Sequence, residues 1–209
     1  MLKLPAEILL ATSNPHKVRE LRAILTPLLT TGTKLLSLAD IGQAGPPADV
    51  ERFNTFTANA RAKAKWCRDR YGMSCLADDS GICVHALGEA PGVRSARWAG
   101  PGDSDRNEML LGELIRVGAI EPQQRAARFV CSAAFAVAES PAAVVALGIA
   151  SGRIVDHPSG ETGFGYDPIF YCPELESTFA LAPEAAKNRV SHRARAFSRL
   201  IAQICPAMS

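Results

Sequence analysis

A chain of 209 residues with 47% hydrophobic and 21% charged residues has a globular composition and can bury a substantial core within one domain spanning 1–209. A formal net charge of +2 excludes duplex nucleic acid as a partner recognised by bulk charge, so any bound anion must meet a local basic cluster.

The first apolar run, 8–11, reads as a buried strand. Thr12-Ser13-Asn14-Pro15 breaks it, with Asn14 suited to cap a helix and Pro15 to occupy its first turn. Val18, Leu21, Leu25 and Leu28 recur at helical spacing, which predicts a helix over 15–25. A strand, a polar turn and a helix start in succession offer backbone N–H groups to an anion. Lys17 lies in that first turn, where the helix dipole disfavours a cation. It is either a surface lysine or a phosphate ligand.

Residues 33–38 read as a second strand and 42–49 as a Gly/Pro loop. A helix over 55–71 places Phe56, Ala60, Ala64, Cys67 and Tyr71 on one face and stops at Gly72. Its basic residues Arg61, Lys63, Lys65, Arg68 and Arg70 read as a solvated surface. A strand at 73–77 then runs into Asp78-Asp79-Ser80-Gly81, with another strand at 82–84. Neighbouring carboxylates raise each other's pKa unless a cation or water intervenes, and hard oxygen donors suit Mg²⁺. The alternative is a solvated turn, since Asp, Ser and Gly are ordinary turn residues.

Asp103-Ser104-Asp105 opens a helix whose apolar residues are Met109, Leu110, Leu114 and Ile115. Residues 128–138 form a long strand that is apolar on both faces and so central. Its expected antiparallel partner is 143–150, with a strand continuing at 152–155. The loop 159–170 gathers three glycines, Phe164, Tyr166 and Asp167, giving close backbone approach and flat aromatic surfaces. A last helix begins after Ser191 and carries Ala194, Phe197, Ile201 and Ile204. Lys187, His192, Arg193 and Arg195 cluster at its start, a second helix N-terminus with cations against the dipole, and the two together point to a shared polyanion. The six cysteines show no CxxC spacing and few histidines accompany them, which argues against zinc and for a reduced, cytoplasmic protein. Pro5 and Glu7 interrupt the N-terminal apolar run, and no stretch approaches a membrane span. Strands of mixed direction alternating with helices give an α/β class with a mixed sheet.

These pieces fit one chemistry. A metal on Asp79, with Asp78 or Glu51 helping, neutralises phosphate oxygens and activates water. Lys17 and its turn hold phosphates, Phe164 and Tyr166 stack on a base, and His192 and Arg193 donate to a base carbonyl. Such a donor-rich site prefers an oxo-purine to adenine.

Ala11-Thr12-Ser13-Asn14-Pro15-His16-Lys17 with Glu20 resembles the opening phosphate loop of the inosine triphosphate pyrophosphatase family. Ala77-Asp78-Asp79-Ser80-Gly81 resembles its acidic centre, and Ala90-Pro91-Gly92-Val93-Arg94-Ser95-Ala96-Arg97 the segment that follows. Gly163-Phe164-Gly165-Tyr166-Asp167-Pro168-Ile169-Phe170 and Ser191-His192-Arg193 resemble its two late motifs. Ser13 and Phe53 stand where that family usually carries glycine.

The resemblance implies an elongated α/β fold of two lobes with a cleft between them, working as a homodimer. It implies Mg²⁺-dependent cleavage of non-canonical purine nucleoside triphosphates to the monophosphate and pyrophosphate. It implies substrate contacts at Thr12, Ser13, Asn14, Pro15, His16, Lys17, Ser80, Phe164, Gly165, Tyr166, Asp167, Lys187, His192 and Arg193. Asp79 is implied as proton acceptor and metal ligand, with Lys17 and Lys187 steadying charge on the phosphates. Glu51 and Asp78 are the further metal-ligand candidates.

Overall fold

The computed structural model describes residues 4–29, 32–100 and 102–205. A seven-stranded sheet runs in the order β2-β1-β3-β4-β5-β6-β7. Its strands are β1 (Glu7–Leu10), β2 (Lys34–Ser37), β3 (Cys75–Val84), β4 (Ala126–Ala136), β5 (Ala143–Ile154), β6 (Phe170–Cys172) and β7 (Ser177–Thr178). β1 pairs in parallel with β2, from Glu7 opposite Lys34 to Leu10 opposite Ser37, and with β3 at Leu9–Cys75 and Leu10–Leu76. β6 is antiparallel to both β5 and β7. The sheet is therefore mixed, and with its flanking helices the class is α/β as expected. The helices are α1 (Pro15–Leu25), α2 (Phe56–Tyr71), α3 (Asp103–Arg116), α4 (Glu184–Val190) and α5 (His192–Ile204).

The chain forms two compact units. The first comprises the chain up to Asp79, Cys131–Gly148 and the chain from Arg193; the second comprises Ser80–Val130 and Ile149–His192. Strand alternation builds two cores in the first unit. Ile8, Leu10 and Leu76 face Leu21, Ile24 and Leu25 of α1 and Phe197, Leu200 and Ile201 of α5. Leu9, Ala11, Cys75 and Ala77 face Ala60, Ala64 and Cys67 of α2. α1 starts as its sequence requires, with the Asn14 side chain accepting from His16 N and Lys17 N. α2 is capped by Thr55 and ends at Gly72, whose φ of 65° is the left-handed conformation that glycine tolerates.

The second unit has its own core of Ile82, Val84, Leu110, Leu114, Phe129, Ile154, Phe170 and Phe179. Phe129 is at its centre, 4.7 Å from Phe170 and stacked at 4.6 Å on the His192 ring.

Three expectations are corrected. The acidic stretch is not a turn between two strands: β3 runs unbroken through Asp78-Asp79-Ser80-Gly81. Of the four apolar residues named on α3 only Leu110 and Leu114 are buried, while Met109 and Ile115 are 46% and 62% exposed. A narrow i, i+4 stripe satisfies that core. The basic face of α2 is not all solvated, since Lys63 and Arg68 are buried. Arg68 reaches Ser140 O and Asp69, and Lys63 reaches the acidic stretch.

Candidate active site

Successive side chains of a strand point to opposite faces of its sheet. In β3, Asp78 therefore shares the face of Leu76, towards α1 and α5, and Asp79 shares the face of Ala77, towards α2. Adjacent in sequence, the two carboxylates occupy different environments and acquire opposite electrostatics.

Asp78 is 1% exposed. Its Oδ2 accepts from Lys17 Nζ at 3.0 Å and from Arg193 Nε at 3.3 Å. Arg193, 2% exposed, also pairs through Nη1 with the buried Glu20. Two carboxylates and two cations thus form a neutral interior network. Burial pushes the Asp78 carboxyl up, but Lys17, Arg193 and Lys63 outweigh it and hold the group far below the usual carboxylate range. Asp78 thus turns Oδ2 to Lys17 and Arg193. Arg193 turns Nε to Asp78 and Nη1 to Glu20. Lys17 and Arg193, at these two helix starts, are paired with the protein's own acids.

Asp79 behaves oppositely. Burial pushes its carboxyl up to about 6, with Glu51 adding to the rise, while the Asn59 hydrogen bond, Lys63 and Lys17 pull against it. Asn59, 1% exposed, donates from Nδ2 to Asp79 Oδ2 at 2.9 Å. The same amide grips the chain before α2, accepting from Phe53 N at 2.9 Å and donating to Phe53 O at 3.1 Å. Lys63, one turn further along α2, donates to Asp78 O at 2.8 Å and pairs with Glu51. Burial lowers the Lys63 ammonium, and Asp78, Glu51 and Asp79 together raise it above its ordinary value. The centre is thus Asp79, Glu51, Lys63 and Asn59.

Among the described residues no group of three or more His, Cys, Asp or Glu side chains is gathered as a metal cage. Mg²⁺ is commonly held by one or two carboxylates, with phosphate oxygens and water completing its shell. Glu51 and Asp79 fit that pattern: both are hard oxygen donors, and Glu51 raises the pKa of Asp79, a repulsion that a divalent cation relieves.

The loop between β1 and α1 is ordered by its own side chains. Thr12 is nearly buried and its Oγ1 accepts from Asn14 N at 3.2 Å. Ser13, Pro15 and His16 are exposed, and Asn14 and Lys17 are half-buried. A cavity of about 390 Å³ is lined by Thr12, Ser13 and Pro15 together with Arg19, Arg22 and Ser37.

The second unit carries the other predicted group. Ser80 is half-buried in β3. A Cβ on Gly81 would lie 2.4 Å from Gly92 O and from Ser95 Oγ, so only glycine lets the segment after β3 close onto it. Ser95 Oγ fixes that contact by accepting from Ile82 N at 2.9 Å and donating to Gly92 O at 2.6 Å. Asp167, 3% exposed, accepts from Lys187 Nζ at 2.6 Å and from Phe164 N at 2.8 Å through one oxygen. Lys187 Nζ lies 5.3 Å from the centre of the half-buried Phe164 ring. Tyr166 is buried and donates to Ser95 O at 2.9 Å, so its ring is a core group and not an open stacking surface. His192 is buried against Phe129.

Asn59, Lys63 and Glu20 carry no role in the sequence reading. A signal existed for the first two: Asn59 and Lys63 are four apart on α2, beside the Ala60–Ala64 stripe that packs on β3.

A mixed α/β sheet whose interior strand β3 sets a raised carboxylate beside a second acid and a lysine defines a protein equipped for hydrolytic chemistry. The Ham1 family model matches residues 8–203, and the chain belongs to that family. It is 42% identical over 203 residues to a dITP/XTP pyrophosphatase of Ralstonia nicotianae, covering 94% of this chain and 96% of that one. It is 43% identical over 196 residues to the dITP/XTP pyrophosphatase of Geobacillus kaustophilus, covering 93% and 92%. A solved HAM1 protein from Coxiella burnetii has the same fold, with a TM-score of 0.82 and 34% identity over 96% of this chain and 99% of that one.

Proposed function

We propose that this chain hydrolyses non-canonical purine nucleoside triphosphates (ITP, dITP and XTP) to the nucleoside monophosphate and pyrophosphate, clearing them from the pool used for DNA and RNA synthesis. The full-length similarity to dITP/XTP pyrophosphatases supports the reaction class. The observation that carries the mechanism is Asp79, a half-buried carboxylate whose pKa is raised to about 6, oriented by Asn59. A general base works best with a pKa near the operating pH. Asp79 accepts the proton of the water that attacks the α-phosphorus, the α–β anhydride bond breaks, and pyrophosphate departs.

Glu51 and Asp79 would hold Mg²⁺, which would neutralise charge at the phosphate oxygens and lower the pKa of bound water. Lys63 holds Glu51 in place and balances its charge. Thr12 to Lys17 bind phosphate oxygens. Ser80, the Phe164 to Asp167 loop, Lys187 and His192 supply further nucleotide contacts, with Phe164 as the stacking ring. Arg193 acts from behind, fixing Asp78 and through it β3. The whole chain serves as one catalytic domain.

Incubation with ITP and Mg²⁺ should release pyrophosphate, not orthophosphate. Asp79→Asn should lower turnover about 10²–10⁴-fold while leaving nucleotide affinity within a few-fold. Wild-type turnover in that variant, or orthophosphate as the first product, refutes the assignment. The homodimer and the cytoplasmic setting implied by the resemblance belong to the same reading, and sedimentation of the purified chain tests the first.

A further inference from the structure

The Phe164 ring is only half-buried, so packing alone does not fix it. Its backbone is fixed instead. On one side Phe164 N donates to the Asp167 carboxylate, which Lys187 also holds. On the other side both polar groups of the next residue, Gly165, are gripped by α3. Gly165 N donates to Asp103 Oδ2 at 2.6 Å, and Gly165 O accepts from Asn107 Nδ2 at 3.2 Å. Asp103 and Asn107 are four apart, so one face of one helical turn presents an acceptor and a donor at the spacing of a single residue. Gly165 has a φ of 65°, a conformation other residues adopt at a cost, and the two bonds hold it there.

The grip is itself anchored. Arg106 pairs with Asp103 through Nη2 and donates from Nη1 to Gly100 O at 3.2 Å. Asn107 is 5% exposed. Its Oδ1 is buried and accepts no hydrogen bond among the described residues, so the amide contributes here only as a donor.

We propose that Asp103 and Asn107 are positioning residues for nucleotide recognition: they clamp Gly165 from α3, set the plane of the neighbouring Phe164 ring, and so govern discrimination among purine bases. The proposal rests on the reading of this chain as a purine nucleoside triphosphate pyrophosphohydrolase. Neither residue touches the base. Each acts through the loop that carries the ring.

Two variants and two kinds of measurement test it. Asn107→Ala removes the donor, and Asn107→Asp sets a carboxylate oxygen against Gly165 O. Hydrogen exchange of the amides at 163–167 reads the clamp directly, without reference to turnover. Both variants should accelerate exchange there about tenfold or more, Asn107→Asp the more strongly, with the exchange of α2 and α5 unchanged. Binding of ITP, measured by calorimetry, should weaken about five- to tenfold. Michaelis constants for ITP should rise by the same factor with kcat within about twofold, and the preference for ITP over GTP should narrow.

Unchanged loop exchange overturns the clamp. Faster exchange with unchanged ITP affinity and unchanged base preference overturns its role in recognition. Exchange that rises equally throughout the protein, with kcat and stability falling together, assigns Asn107 to folding alone and also overturns the proposal. A wild-type protein that releases no pyrophosphate from ITP refutes the functional reading instead, and the exchange and affinity measurements still decide the clamp.

Discussion

At Asp79 burial makes one carboxylate less stable as an anion. The sign of its effect on folding follows from its direction of shift. A carboxyl raised to about 6 binds its proton more tightly in the native protein than in the unfolded chain. Its contribution is present below about pH 4 and is lost as the pH rises through 6. The metal-free Asp79→Asn variant should therefore be more stable than wild type at pH 8, by on the order of 3 kcal/mol, and no more stable at pH 4. Denaturant titration at both pH values with a chelator present checks this, and a pH-independent difference refutes it. Asp78 has the opposite sign. Its depressed carboxyl stabilises the fold at neutral pH and releases that stability as acid protonates it.

At the scale of elements, α1, β3 and α5 are joined by charge as well as by packing. Arg193→Met removes the buried guanidinium that pairs with both Glu20 and Asp78, and should cost about 3–5 kcal/mol. Adding Glu20→Leu should recover part of that loss, because the stranded carboxylate goes with it. Additive effects in this double-mutant cycle would show that the two charges are not coupled. The helices around this network were legible in the sequence because their signals are local. Asn14, Pro15 and Gly72 mark boundaries by backbone chemistry, and the apolar periodicity of α2 and α5 marks their inner faces. The network was not legible, because Arg193 meets partners 115 and 173 positions away in the chain. By local signals alone its cations await an outside anion. The acidic stretch reads as a turn because Asp, Ser and Gly have the same composition in a turn as in a strand. What separates the two here is tertiary: Gly81 is small to admit Gly92 and Ser95, not to bend the chain. The acidic centre, the first loop and the late motifs were legible as motifs, whereas the α3 grip on Gly165 had no motif to announce it.

For the molecule as a whole, burial also governs the thiols. All six cysteines are free and only Cys205 is partly exposed. Burial pushes the Cys67 thiol up to about 12 and raises those of Cys75, Cys83 and Cys131 as well. A thiolate is the reactive form, so these groups are inert while the fold is closed. A disulfide-exchange reagent should label Cys205 rapidly in the native protein and the other five only at the rate of opening, with all six reacting at once in denaturant. Fast native labelling of more than one thiol would contradict that order. Among the described residues no helix is long and apolar enough to cross a membrane.

The alternation within β3 also makes the working of this protein a matter of parity. Counting from the pairing of Leu10 with Leu76, the second residue along enters the charge network and the third enters the catalytic centre. Deleting or inserting one residue between them and that pairing would turn each carboxylate to the opposite face, Asp79 towards α1 and α5 and Asp78 towards α2. A two-residue change restores the odd–even order but displaces both groups by about 7 Å along the strand. Loops elsewhere in the chain can change length over evolutionary time, but this short stretch of β3 has a number of residues that cannot drift.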